Sequence, residues 1–301
     1  MRVTTNMAVS NLVRNLDRSY GRMVKFQQEL SSGSRLNSLS DDPAAVERSL
    51  SLRTELRNME QFQKNIDDGT GWLELSEANL SELETLFVEA RGLAVQGASD
   101  TYDGQQRRAV ADQIDQFLEH AVSLSESRYR GRYIFAGTQT NDPPYAAVRD
   151  QDGRILSLAP RGDNTGSIER EVSDGIIQQV NVPGGDVFEG SLNAFDVLIE
   201  LRDALASNSV TEVRSSLTQL SDMRERISSV RGVIGARVNR MELTRNVLDR
   251  VSSEMTSILS EDEDVDLTAT IVNLQQEQDV FQAALASGAS IIPQSLMDFI
   301  G

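Results

Sequence analysis

The 301-residue sequence contains no cysteine and few aromatic residues. The lack of cysteine excludes disulfide bonds, thiolate catalysis and the usual zinc clusters. An apolar content of 39% and an aromatic content of 5% are low for a compact enzyme. These figures favour long helices joined along thin apolar stripes over a globule with a thick core.

Residues that commonly carry catalysis are also scarce. Lys25 and Lys64 are the only lysines and His120 is the only histidine, so few side chains could act as an amine nucleophile or a general base. The sequence has no glycine-rich phosphate loop, no His-Glu-x-x-His motif and no dinucleotide fingerprint. We therefore predict neither catalytic residues nor a cofactor, and interpret His120 as a surface or interhelical residue.

No stretch approaches 18 consecutive apolar residues, so we expect no membrane insertion. The formal net charge of −17 argues against nucleic acid and anionic membranes as partners, because both would repel the chain. Residues 1–10 lack the basic and apolar segments of a cleaved secretory signal. We expect either a cytoplasmic protein or one exported without such a signal.

The acidic run from Glu261 to Asp266 could attract calcium, since carboxylate oxygens are its preferred ligands. The run lacks the spacing of an EF-hand loop, however. Negative charge before a helix N-terminus is favoured by the helix dipole. We interpret the run as the solvated start of a helix and predict no metal.

Two other pairs of acids have structural interpretations. Asp150 and Asp152 fit a hairpin turn better than an ion site. Asp41 and Asp42 could suggest acid–base catalysis, but a helix cap followed by Pro43 explains them with fewer assumptions. Neither pair predicts an active site.

The six prolines mark the organisation of the chain, because proline interrupts helices. The windows 44–142 and 184–292 contain none, and both predict helix almost throughout. Four prolines and many glycines fall within residues 141–190, which we predict to be a β-rich insertion with a hairpin around residues 150–153.

Glycines and caps set the predicted helix ends. The first helix should stop near Gly33. Gly69 and Gly71 should allow a bend or a weakened turn, and the next helix should end near Gly97. A heptad pattern over residues 213–259 predicts the longest helix of the chain. We thus predict an elongated, mainly α rod.

Two narrow apolar stripes lie at opposite ends of the chain, each with the alternating steps of three and four residues that leave one face apolar. The N-terminal stripe contains Leu12, Leu16, Ser19, Met23, Phe26 and Leu30. The C-terminal stripe contains Leu267, Ile271, Leu274, Gln278, Phe281, Leu285 and Gly288. We predict that their ten apolar members, all except Ser19, Gln278 and Gly288, form an assembly interface.

The chain ends also differ in charge. Residues 1–36 have a net charge of +4, whereas residues 260–301 have a net charge of −8 and contain no lysine or arginine. Opposite charges favour pairing of the two ends. Since a narrow stripe needs a partner helix, each end should pack on the other or on another copy, with an internal coiled coil of the free monomer as the alternative.

Several segments together resemble a known family. Residues 29–45 resemble the N-terminal signature of bacterial flagellins and flagellin-like hook-associated proteins, and residues 267–285 with 293–296 resemble the C-terminal flagellin helix. Residues 131–140 and 143–145 are similar to the hook-associated protein 3 family of hook–filament junction proteins. The family motif residues are Asp41, Asp42, Pro43, Gly131, Tyr133, Phe135 and Gly137. The opening, residues 2–6, lies between the flagellin and junction-protein patterns.

The resemblance implies a flagellin-like rod with paired N- and C-terminal helices, a helical trunk and a small β-rich outer domain. The corresponding segments are 1–40 and 265–301 for the assembly helices, 41–140 and 191–264 for the trunk, and 141–190 for the outer insertion. It implies a non-enzymatic subunit that self-assembles, contacts hook-associated protein 1 and flagellin, and is exported unfolded through the flagellar type III apparatus with a chaperone.

Two other functions stay open on the sequence alone. One is a filament flagellin, since the opening and the short insertion depart from the junction proteins. The other is an intracellular coiled-coil scaffold.

Overall fold

The computed structural model describes residues 5–190 and 192–291. In chain order the helices are α1 (Thr5–Ser32), α2 (Pro43–Gly97), α3 (Gly104–Ser125), α4 (Gly184–Phe188), α5 (Ala194–Ala206), α6 (Val210–Glu263) and α7 (Leu267–Ile291). The strands are β1 (Arg128–Tyr129), β2 (Arg132–Tyr133), β3 (Tyr145–Arg149), β4 (Ile155–Pro160), β5 (Glu169–Ser173) and β6 (Ile176–Gln179). The prediction of a mainly α chain with a small β insertion is confirmed.

The helix ends follow the predicted signals. Gly33 has a φ of +72° and donates its N–H to Glu29 O at 2.9 Å, closing α1 with a left-handed residue. Asp42 Oδ1 accepts the N–H of Ala45 at 3.1 Å and caps the start of α2 at Pro43. The long helix predicted over 213–259 forms the greater part of α6. The prediction that it is the longest helix is wrong among the described helices, because α2 has 55 residues and α6 has 54.

The predicted start of a further helix after Gly69 and Gly71 is wrong, because α2 continues through both residues without a break. A Cβ at Gly69 would lie 2.6 Å from Val180 Cγ1, and one at Gly71 would lie 2.5 Å from Tyr129 Oη. These glycines therefore serve close packing against α2, at the usual helix cost of about 1 kcal/mol each.

The described strands form three separate antiparallel hairpins, β1–β2, β3–β4 and β5–β6. The predicted turn at residues 150–153 joins β3 to β4. Asp150 Oδ1 accepts the N–H groups of Asp152 at 2.9 Å and Arg154 at 2.8 Å. Asp150 thus organises a turn, as predicted.

The chain divides into two compact units. The terminal unit comprises Met1–Asn58 and Arg250–Gly301, and the central unit comprises Met59–Asp249. Within the central unit, α3 packs on α5, and the rings of Phe188 and Phe195 stack with centroids 5.2 Å apart. None of the described helices is both long and apolar enough to cross a bilayer.

Candidate functional site

The two ends of the chain meet in the terminal unit as an antiparallel helix pair, α1 with α7. Ser19 Oγ donates to Glu277 Oε2 at 2.8 Å, and Arg22 Nε donates to Glu277 Oε1 at 2.7 Å. Further along, Leu12 lies against Gly288, where a Cβ would come within 2.5 Å of Leu12 Cδ2. The absence of a side chain at Gly288 therefore permits the close approach of the helices.

The predicted N-terminal stripe lies on the face of α1 that contacts α7. Ser19 is 2% exposed at its centre. Its apolar members share that face, at the helical repeat of about 3.6 residues per turn, and are half-buried. These members are Leu12, Leu16, Met23, Phe26 and Leu30.

The predicted C-terminal stripe is divided between two faces of α7. Leu274 and Phe281 are half-buried toward α1, and the rings of Phe281 and Tyr20 lie 6.2 Å apart. The other three apolar members, Leu267, Ile271 and Leu285, are 53%, 48% and 49% exposed.

The face of α7 that contacts α1 follows the positions 270, 274, 277, 281, 284 and 288. Thr270, which is 5% exposed, and Glu277 were not among the predicted residues, because neither is apolar. The spacing of four and three residues around Leu274 and Phe281 could have identified both.

Glu277 carries the main polar contact of the pair. The hydrogen bond from Arg22, then that from Ser19, lowers the pKa of the Glu277 carboxyl below its ordinary value. The ionised carboxylate is thus the form that stabilises the contact.

The acidic run was predicted to be the start of a helix, but its first three residues are the end of α6, which continues through Glu263. Arg48 donates to both carboxylate oxygens of Asp262, at 2.8 and 3.1 Å, and Arg53 to both of Glu263, at 2.5 and 2.8 Å. These arginines lower the pKa of both carboxyl groups. Asp266 has the predicted role, since its Oδ1 accepts the N–H of Ala269 at 3.0 Å at the start of α7.

Asp41 fixes the loop between α1 and α2. It accepts the N–H of Ser38 at 2.8 Å and pairs with Lys25 Nζ at 2.9 Å. The bond from Lys25, followed by that from the Ser38 backbone, lowers the pKa of Asp41 to about 2. The motif acids Asp41 and Asp42 therefore shape the loop and cap α2. Across the described ranges, no group of three His, Cys, Asp or Glu residues could hold a metal.

The second family motif builds part of the central unit. Gly131, with a φ of +82°, forms the turn of the β1–β2 hairpin, and Tyr133 is buried beside it. Phe135 is fully buried, with its ring centroid 5.3 Å from that of Phe188. Gly137 has a φ of +57° and lies tightly against Asp163. These residues determine packing and chain direction.

His120 lies exposed on α3, with its Nε2 2.8 Å from Glu82 Oε1. That position agrees with the interpretation of a surface histidine. The predicted tail segment Pro293–Leu296 and the opening residues Arg2–Thr4 lie outside the described residues.

The chain is similar to known flagellar proteins. Residues 3–140 match the family model of the bacterial flagellin N-terminal helical region. The flagellin of Halalkalibacterium halodurans is 24% identical over 305 residues, which cover all of both chains. Flagellar hook-associated protein 3 of Escherichia coli is 23% identical over 300 residues, covering 94% of this chain and 95% of that protein.

Among solved structures, a Vibrio parahaemolyticus protein described as a flagellar hook-associated protein superposes with a TM-score of 0.67. It is 20% identical, and the match covers 74% of this chain and all of that one. The matched relatives are thus covered over nearly their whole length.

Proposed function

We propose that this chain is the adaptor that joins the hook to the filament. The match of residues 3–140 to the flagellin N-terminal region, together with relatives of nearly full length that are a flagellin and a hook-associated protein, supports a structural role in the bacterial flagellum. The observation that carries the proposal is the junction-type motif at residues 131–140. Phe135 and Gly137 lie at packed positions there, and the E. coli relative of nearly full length is a hook-associated protein.

Polymerisation through the terminal helices is the proposed mechanism. Residues 1–40 and 265–301 act as assembly helices, 41–140 and 191–264 as the trunk, and 141–190 as the outer insertion. Within the assembly interface, the stripe of α1 together with Leu274 and Phe281 holds the helix pair together. Leu267, Ile271 and Leu285 remain available to neighbouring subunits.

The proposed partners are further copies of this chain, hook-associated protein 1 on the hook side and flagellin on the filament side. Export unfolded through the flagellar type III channel, with a chaperone, fits a chain without cysteine, since no disulfide would obstruct threading.

A filament flagellin is the second candidate. It is favoured by the match to the H. halodurans flagellin, which spans both chains completely. The two functions differ in stoichiometry, because a filament subunit dominates sheared filaments whereas an adaptor is scarce.

Electron microscopy of a strain that lacks this chain tests the proposal. We expect hooks without filaments, and flagellin shed into the medium. Filaments of normal length on the deletion strain would refute the adaptor role, and short or absent filaments without shed flagellin would favour the filament flagellin.

A further inference from the structure

The α1–α7 pair has two chemically different sides. One face of α1 contacts α7. Val13, Tyr20 and Val24 each lie one residue after a position on that face. A step of one residue turns the side chain by about 100° around the helix. These three side chains are 49%, 57% and 42% exposed, so they form an uncovered apolar flank.

The same relation holds in α7. Ile271 follows Thr270 and Leu285 follows Ala284, and both are about half exposed. In two antiparallel right-handed helices, a one-residue step turns both chains toward the same side of the pair. The two flanks therefore form one surface, which we call the apolar side after Val13, Tyr20, Val24, Ile271 and Leu285. Its other positions include Asp17 and four glutamines, at 27, 275, 278 and 282.

The positions that precede the contact face by one residue form the opposite side. In α1 these positions hold Arg18, Arg22 and Lys25, together with Asn11, Asn15 and the buried Glu29. In α7 they include the small residues Ala269 and Ala283 and the 46% exposed Val280. We call this surface the basic side.

Each side carries one charged residue that has no oppositely charged partner among the described residues. Asp17 follows Leu16 and lies on the apolar side, whereas Arg18 precedes Ser19 and lies on the basic side. Arg22 pairs with Glu277 and Lys25 with Asp41. In the described part of the chain, neither Asp17 nor Arg18 has an ion-pair partner within 4.0 Å. The two residues are one helical step apart, about 1.5 Å along the axis.

We propose that the apolar side of one copy packs on the basic side of a second copy, with Asp17 of the first paired to Arg18 of the second. Large apolar side chains then meet the small residues and Val280 of α7. The contact joins two different surfaces, so it can repeat without closing, as a tubular assembly requires. This inference rests on the proposed function, in which copies of the chain assemble in the flagellum. It specifies which two surfaces of neighbouring copies meet and which charged residues pair.

A charge exchange in the deletion strain tests the contact in cells. Asp17→Arg alone and Arg18→Asp alone should each reduce attached filaments by roughly tenfold, because each places like charges at every contact. The double variant Asp17→Arg/Arg18→Asp, and co-expression of the two single variants, should restore them. Ile271→Ser should also reduce filaments, whereas Leu243→Ser, a 68% exposed leucine of the central unit, should not. Single variants that assemble normally, or an exchange that restores nothing, would overturn the pairing.

Cross-linking of the purified full-length chain gives a test that does not depend on the junction role. Asp17→Cys and Arg18→Cys proteins, each with a single cysteine, are oxidised separately and as an equimolar mixture at high concentration. We expect disulfide-linked dimers several-fold more abundant in the mixture, because the two positions face each other across copies. Equal yields in all three samples would contradict the proposal even if the deletion strain supports the adaptor role. If the mixture forms dimers preferentially but the deletion strain still carries filaments of normal length, the contact between copies is supported and the adaptor role is refuted.

Discussion

At the scale of single residues, glycine serves two separate purposes in this chain. Gly137 and Gly153 both have a positive φ, +57° and +84°. A Cβ at Gly137 would lie 2.5 Å from the backbone oxygen of Asp163, whereas nothing lies within 4 Å of one at Gly153. Position 137 thus requires glycine for two reasons, the lack of room for a Cβ and the left-handed backbone conformation.

Alanine at these two positions should separate the two effects. Gly153→Ala should cost about 1–2 kcal/mol of unfolding free energy, the cost of the left-handed conformation. Gly137→Ala should cost roughly 1–3 kcal/mol more, because the neighbouring backbone must move. Urea unfolding of both variants measures the difference. Equal losses of unfolding free energy would show that the Asp163 backbone moves aside at no cost in stability.

Glu277 makes the helix pair sensitive to acid. Its pKa is lowered in the folded protein, so the unfolded chain binds more protons below the ordinary glutamate pKa of about 4.3. The stabilisation is therefore complete above that pH and is lost as pH falls through the folded pKa.

Glu277→Gln should lower the thermal stability of the terminal unit at pH 6 and have a progressively smaller effect as pH falls toward 3. Circular dichroism melting curves of the wild type and the variant measure this. Glu254→Gln, on an exposed position of α6, is the matched control and should show no such pH dependence. A difference in melting temperature that is independent of pH would contradict the role of the Glu277 carboxylate.

At the scale of helices and strands, the sequence predicted ends better than faces. Gly33 and Asp42 act locally, so they could be recognised without the fold. The α7 face includes the buried Thr270 and the hydrogen-bonded Glu277, so selecting only apolar residues gives the wrong members, although the spacing around Leu274 and Phe281 points to both. The packing role of Gly69 and Gly71 has no local signal, because Val180 and Tyr129, which lie against them, are distant in sequence.

The division of the C-terminal stripe gives a prediction for the helix pair. Leu16→Ser and Phe281→Ser should expose the amides of α1 to faster hydrogen exchange, because both side chains are half-buried in the contact. Leu267→Ser and Leu285→Ser should leave that exchange unchanged, since these residues are largely exposed. Faster exchange in all four variants would show that both faces of α7 hold α1.

At the scale of the whole molecule, the family model and the solved structure confirm the predicted flagellin-like fold and its resemblance to flagellins and hook-associated proteins. The resemblance could be recognised because local motifs such as residues 29–45 carry it. The pairing of α1 with α7 was an expectation from charge and periodicity. The orientation of that pair depends on contacts separated by about 250 residues, such as Ser19 with Glu277, and no local pattern specifies it.

The position of the chain in the flagellum is the most direct test of the account. Because the sequence has no cysteine, Ile177→Cys, at a 61% exposed position of β6, provides a single site for a maleimide–gold label. Electron microscopy of labelled, motile cells should show gold confined to a short band between hook and filament. Gold distributed along the whole filament would contradict the adaptor role and identify a filament subunit.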